Sequence, residues 1–327
     1  MPSNRPKAEH FVFNGDGDGL CALQQLLFDG PAPASLVTGA KRDIDLVKRV
    51  TASAGDTVTV LDLSFSTNAP AVRELLDAGV RVRYFDHHYA ATPAPHPHLE
   101  LHIDTSPSVC TSLIVNAHLA GKRRLWAAVG AWGDNLETSA LAAVAPDALP
   151  PETLDTLRGL GTCLNYNAYG DSEDDLFISP LELHRRLIRY ADPREFCRKE
   201  PLFGQLRARL AADLAEAESV QALANNALAA VFLLPNAAWA RRVSGLWAHA
   251  QANRNPQRAH AVLSVKPGGG YVASVRAPQS RPYGAAEFCR KFPVGGGREA
   301  AAGINHLAEE RLEDFCAEFL RYFGAGR

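Results

Sequence analysis

Val80-Arg81-Val82-Arg83-Tyr84-Phe85-Asp86-His87-His88 is the stretch that decides how this chain reads. Its first six residues are β-branched, aromatic or alternating, which marks a strand. That strand runs directly into an acid and two imidazoles. The arrangement recurs twice. His10-Phe11-Val12-Phe13 leads into Asn14-Gly15-Asp16-Gly17-Asp18-Gly19, and Thr57-Val58-Thr59-Val60-Leu61 leads into Asp62. Acceptor-rich side chains and imidazoles, each placed just past a strand, suit a pair of divalent metal ions.

Helical patterns separate these strands. Leu20 to Leu27 has helical spacing, and Ala69 to Ala78 is amphipathic and stops at Gly79. Strands alternating with helices imply βαβ units and an α/β fold with a parallel, doubly wound sheet. Asp16, Asp18, Asp62, Asp86 and His87 then all fall at the carboxyl ends of strands, the edge where open α/β sheets bind ligands.

At 327 residues the chain is long for one core, so two domains are expected. The boundaries read as a metal-binding domain over 1–180, a helical connector over 181–228 and a smaller α/β domain over 229–327. The connector rests on an Ala-, Leu-, Glu- and Arg-rich helical stretch from about Phe203 to Leu228. It follows a looser region from Ala145 to Pro180 that contains Pro146, Pro150, Pro151 and an acidic cluster at 171–175. In the last domain Ala229–Leu234, Ala259–Val265 and Tyr271–Val275 read as strands and Leu307–Phe323 as a closing helix.

A hydrophobic fraction of 46% with 21% charged residues describes an ordinary globular protein. No apolar run reaches the ~18 residues of a membrane span, and the first residues lack a signal core, so no membrane partner and a cytoplasmic location are expected. Six cysteines without a Cys-x-x-Cys pair exclude a zinc ribbon and point to reduced thiols. The net charge of −2 disfavours a protein that coats long nucleic acid. Between Lys266 and Arg298, however, six basic side chains face Glu287 alone, which leaves a local anion site or a solvated surface open.

Each motif also has a plainer reading. Asn14-x-Asp16-x-Asp18-Gly19 matches the start of an EF-hand loop, but loop position twelve is Gln25 and the preceding segment is strand-like, so that reading fails. Asn, Gly and Asp are common turn formers, and Asp62-Leu63-Ser64 could begin a helix. Ser108 to Ser112 reads as a helix cap, and Trp126 and Trp132 as core. Asn165-Tyr166-Asn167-Ala168-Tyr169-Gly170 is a polar stretch and a candidate substrate contact.

Taken together, Asp16-x-Asp18-Gly19, Val60-Leu61-Asp62, Asp86-His87-His88 and Gly133-Asp134-Asn135 resemble the four successive motifs of the DHH phosphoesterase superfamily. Gly295-Gly296-Gly297-Arg298-Glu299-Ala300-Ala301-Ala302-Gly303 is similar to that superfamily's glycine-rich C-terminal signature, and Ser274-Val275-Arg276 to the strand before it. The resemblance spans almost the whole chain in the right order. It implies two Mn²⁺ ions, with Mg²⁺ as the alternative. Asp62 would bridge them, Asp16 and Asn14 would lean toward one, and Asp18, His87 and Asp134 toward the other. It further implies His88 as proton or hydrogen-bond donor to phosphate, with the catalytic-site Asp86 orienting His87 or His88, and Arg276, Gly295, Gly296, Gly297 and Arg298 as the substrate grip. The glycines would turn amide N–H groups toward an anion by adopting positive φ.

The chain departs from the pattern at three places. Val12 stands where some members carry an upstream His, and His10, two residues away, is not expected to ligate. Asn14 brings no charge to its position. Arg298 replaces a His, and can either fork a phosphate or lie on the surface.

The expected function is therefore Mn-dependent hydrolysis of phosphate esters in small nucleotides or short oligonucleotides, by two-metal activation of water in an interdomain cleft. A homodimer is left open. The alternative is a nucleotide-binding regulatory protein with impaired catalysis, motivated by Asn14 and Arg298.

Overall fold

The structure is a computed structural model that describes residues 7–28, 30–90 and 94–324. These divide into two compact units, Met1–Arg207 and Ala208–Arg327.

The first unit is built on β1 (Glu9–Phe13), β2 (Ser35–Val37), β3 (Thr57–Leu61), β4 (Arg81–Asp86) and β5 (Leu99–Ile103), in sheet order β2-β1-β3-β4-β5. Every pairing is parallel. A parallel sheet covered on both faces needs strands that are apolar throughout, and β3 is buried along its whole length. Helices α1 (Gly17–Leu27) and α2 (Phe65–Asp77) follow β1 and β3. One face of the sheet packs Val12, Val58, Val60 and Val82 with Phe65, Val72 and Leu75 of α2. After β5 come α3 (Thr111–His118), α4 (Arg124–Gly133), α5 (Glu137–Val144), α6 (Pro151–Ala168), α7 (Pro180–Leu187) and α8 (Pro193–Lys199).

Register turns this sheet into a platform. Phe13 pairs with Leu61 and Leu61 with Phe85, so the three stand level across neighbouring strands. The ladder continues one step further, with Asn14 N donating to Leu61 O and Asp62 N to Phe85 O. Asn14, Asp62 and Asp86 thus form a row along the carboxyl edge.

The region from 145 to 180 is more ordered than its prolines suggest. Pro151 opens the 18-residue α6 at its first position, where a missing N–H costs nothing. The long helix expected to run to Leu228 is α9 (Pro201–Glu218), which ends earlier. Ala222–Asn225 instead forms β6, where pairing outweighs the helix propensity of its alanines.

The second unit carries β6, β7 (Ala229–Leu234), β8 (Ala259–Val265), β9 (Tyr271–Arg276), β10 (Gly295–Gly297) and β11 (Ala301–Leu307), in sheet order β10-β11-β9-β8-β7-β6. Only β7 and β8 pair in parallel, across α10 (Ala238–Arg254). Helices α11 (Ala285–Cys289) and α12 (Leu312–Gly324) complete it. Phe315, Phe319 and Phe323 recur every fourth residue along α12 and pack with Phe288 and Phe292 over Val231, Leu263, Val275 and Ile304.

The glycine run, expected as an anion-cradling loop, is instead a strand. Gly295, Gly296 and Gly297 pair antiparallel with Ile304, Gly303 and Ala302. Of the three only Gly297 has positive φ, at 138°. Gly295 is required by crowding, because a Cβ there would overlap the carbonyl of Cys289.

Candidate metal centre

Four carboxylates meet at the carboxyl edge of the parallel sheet, and each is delivered by a different local device. Asp16 is the N-cap of α1, its Oδ1 accepting from Asp18 N at 3.0 Å and Gly19 N at 3.1 Å. Asp18 lies within α1 and is fully buried. Its two oxygens accept from Thr111 N and Ser112 N at 2.7 Å each, so it caps α3 from outside. The Ser108–Ser112 segment is therefore capped by Asp18, while the side chain of its own N-cap Cys110 makes no capping bond and meets Ser112 Oγ at 3.3 Å instead. Asp62 sits at φ 59°, a left-handed conformation that Asp tolerates better than most residues, and accepts from Thr111 Oγ1 at 3.2 Å. Asp134 is the C-cap of α4, with Asn135 at φ 60° turning the chain away.

His87 joins them, its Nε2 lying 3.4 Å from Asp62 Oδ1 and 3.5 Å from Asp134 Oδ2. Asp18, His87 and Asp134 hold ligand atoms within 4.8 Å of one another, as do Asp62, His87 and His88. This is a set of hard oxygens with imidazole, the chemistry that suits Mn²⁺ or Mg²⁺.

Electrostatics supply the fit. Burial raises the Asp62 carboxyl well above its ordinary value, and the charges of Asp16, Asp18 and Asp134 raise it further. Burial likewise brings Asp134 up to about 6, with Asp18 and Asp16 adding to it against Lys41. Burial works the same way on Asp16, but the Lys41 ammonium and the Gly19 N–H outweigh it and hold that carboxyl low. The cluster has an excess of buried negative charge that a divalent cation would neutralise.

Lys41 escapes the sequence reading. It follows the three-residue β2 at the same sheet edge, and its Nζ reaches Asp16 Oδ2 at 2.5 Å, Asn165 Oδ1 at 3.0 Å and Asp134 Oδ1 at 3.5 Å. The available signal is positional, since Thr38-Gly39-Ala40-Lys41 occupies the same place after β2 that Asp62 occupies after β3. Asn165 and Tyr169, read as candidate substrate contacts, lie around this ammonium.

Asn14 is expected to lean toward a metal, but both ends of its amide are engaged. Oδ1 accepts from Asp16 N at 3.2 Å and Nδ2 donates to Lys41 O at 3.3 Å. These two bonds fasten neighbouring loops together. His10 bonds Ser35 Oγ through Nδ1 at 2.7 Å and stands 3.5 Å from Asp56, away from the acids.

Asp86 is fully buried and works through His88. Its Oδ1 meets His88 Nδ1 at 2.7 Å and accepts from the backbone N–H of His87 and His88, while Oδ2 accepts from Phe65 N. The bond to His88 leads in raising that imidazole's pKa, with burial opposing, and it leaves Nε2 for a ligand. Asp86, expected to orient His87 or His88, contacts the His88 ring directly and His87 only through its backbone N–H.

Arg276, Gly295, Gly296, Gly297 and Arg298 belong to the second unit. Arg276 donates to Val275 O at 3.0 Å, and Arg298 is exposed in a tight turn closed by Arg298 N to Ala301 O at 2.9 Å. Trp126 and Trp132 are buried, the former donating to Ala191 O.

An all-parallel sheet joined in one chain to a mixed sheet that ends in a glycine strand is a fold that solved structures share. A RecJ exonuclease bound to manganese superposes with a TM-score of 0.63 at 19% identity, over 98% of this chain and 90% of that one. The DHH domain of a member of the s1p family of ribosomal proteins gives 0.61 at 14%, over 97% and 86%. PggH of Vibrio cholerae, a pGpG-specific phosphodiesterase, gives 0.54 at 16%, over 98% and 100%. No family model and no curated protein matches the sequence.

Proposed function

We propose that this chain is a metal-dependent phosphoesterase acting on small nucleotides or short oligonucleotides, with Mn²⁺ as its working ion. One observation carries the reading: Asp18, Asp62, His87 and Asp134 converge from four elements on one sheet edge, with His88 held beside them by Asp86.

When bound there, the ion would polarise a phosphoryl oxygen and lower the pKa of a coordinated water. Asp18, Asp62, His87 and Asp134 would hold it. His88, its Nδ1 fixed on Asp86, offers Nε2 as donor to a phosphate or leaving-group oxygen. Asp18 also ties this edge to the first turn of α3, which keeps the acids in place before any ligand arrives. The likeness to an exonuclease bound to manganese and to a pGpG-specific phosphodiesterase supports phosphodiester chemistry on nucleic acid or its fragments. The net charge of −2 favours short substrates over long polyanions. Arg298, exposed beside the glycine strand, is the candidate phosphate grip of the second unit, with Arg276 supporting its strand. Six free cysteines, five of them buried, accord with a reducing cytoplasm. Among the described residues no helix is long and apolar enough to cross a membrane.

The test is metal-stripped protein incubated with Mn²⁺ and pyrophosphate, bis-phosphorylated nucleosides, linear and cyclic dinucleotides, and short RNA and DNA. Mn²⁺-dependent release of mononucleotide from the linear dinucleotides or short oligonucleotides is expected. Silence on every phosphodiester, with metal bound, would return the chain to a nucleotide-binding regulator.

A further inference from the structure

We propose that the acid cluster of the first unit holds a single divalent ion, and that the Lys41 ammonium stands where the second ion of a metal pair would be. This rests on the metal-dependent reading above.

The surroundings of Lys41 Nζ are those of a bound cation. Asp16 Oδ2 lies at 2.5 Å, Asn165 Oδ1 at 3.0 Å and Asp134 Oδ1 at 3.5 Å, three oxygens from separate parts of the chain. The Tyr169 ring faces the ammonium at 5.4 Å from its centroid. The side chain is delivered by a fixed backbone, since Lys41 N donates to Ala168 O at 2.9 Å and Lys41 O accepts from Asn14 Nδ2 at 3.3 Å.

The oxygens that a second ion would require are the ones that hold the ammonium, Asp16 Oδ2, Asn165 Oδ1 and Asp134 Oδ1. The other oxygen of Asp16 holds the start of α1. Both ends of the Asn14 amide are bonded to backbone. Val12, buried in the sheet, offers no donor where an imidazole would help. Clear of the ammonium stand Asp18, Asp62, His87 and the second oxygen of Asp134, the Asp18 oxygens also accepting from Thr111 N and Ser112 N. A second dication beside Lys41 would meet a like charge at contact distance with too few oxygens to compensate. A substrate phosphate at this edge would therefore be met by one metal ion and one ammonium.

The experiment is a Mn²⁺ count with spectroscopy, made on metal-stripped full-length protein. All samples carry His118→Ala, which dismantles the separate exposed group of Glu100, His102 and His118, whose ligand atoms also lie within 4.8 Å of one another. One Mn²⁺ per chain is expected, with the resolved hyperfine lines of an isolated ion in electron paramagnetic resonance. Lys41→Gln should raise the count to two and replace those lines with the signal of a spin-coupled pair, whereas Lys41→Arg should stay at one. Two coupled ions in the chain with Lys41 intact would overturn the inference, as would a Lys41→Gln protein that still binds one. Binding of no ion at all would overturn the metal-dependent reading itself, an outcome distinct from either.

Discussion

The two units of this chain treat buried charge in opposite ways. In the second unit it is paired at once: Arg242 and Asp213, both nearly inaccessible, meet at 2.8 Å, and Arg209 takes the other Asp213 oxygen at 3.1 Å. The hydrophobic cluster of that unit is made of phenylalanine, aliphatic and cysteine side chains. In the first unit Asp16, Asp18, Asp62 and Asp134 crowd together against Lys41 and the half-buried His87. A buried pair is a structural solution, because each partner satisfies the other. A buried surplus, which here raises the Asp62 and Asp134 carboxyls, works against stability, so a structure that keeps one has a use for it. The contrast separates a unit that keeps a surplus of buried carboxylates from one that pairs its buried charge.

The sharpest way to test this contrast is Asp62→Asn, which keeps the shape and the left-handed backbone but removes the charge. Activity should fall on the order of a thousandfold or more in kcat/KM, about 4 kcal/mol of transition-state stabilisation. The metal-free variant should melt higher than its parent, since the amide carries no charge for the three neighbouring carboxylates to repel. A lower melting temperature would show that the surplus does not strain the fold. In the second unit the signs reverse. Phe319→Ala, in a site packed by Phe288, Phe315 and Phe323, should cost about 3–5 kcal/mol in denaturant unfolding. Mn²⁺ affinity, measured well below the unfolding transition, should not change.

Asp86→Asn lies between these cases, because it touches the chemistry only through His88. A loss of about 10–100-fold in kcat with little change in KM is expected, together with retained metal binding. A comparable rise in KM would place Asp86 in substrate binding instead. The smallest effect is common to both units. His184 in the first and His260 in the second are each held down to about 4 by burial. Native protein keeps them neutral while the unfolded chain takes up protons below about 6.5. Each therefore contributes stability that is present above about pH 6.5 and lost as pH falls toward 4, at up to about 1.4 kcal/mol per pH unit. Unfolding titrations at pH 7 and pH 5.5 should show the decline, and His184→Gln should remove its share; an unchanged slope would exclude His184 as its source.

Legibility in the sequence follows the same division. The strands ending at Phe13, Leu61 and Phe85 are readable because apolar, β-branched runs must be buried, and the acids stand out because each follows such a run. Leu99–Ile103 goes unrecognised, and so does Ser35–Val37, too short to show a period. Pro150 and Pro151 look like breakers but open α6. The glycine strand misleads for a related reason: glycine disfavours strands by itself, and only its pairing with β11 decides the matter. Lys41 is hidden most completely. Nothing local marks a lysine 25 residues from Asp16 and 124 from Asn165 as their common partner.

Gly15 gives that long-range partnership an unexpected origin. It presses so closely on the neighbouring loop that a Cβ would overlap the carbonyl of Gly39, with the Pro180 ring crowding the same space. The loop carrying Gly39 is the one that launches Lys41 toward the acids. A methyl group at position 15 carries no charge and touches no ligand atom, yet it would push the root of the ammonium outward. If the ammonium stands in for a second ion, the cation count of the centre would depend on the thickness of a backbone, and Gly15→Ala is a neutral substitution that would act as an electrostatic one.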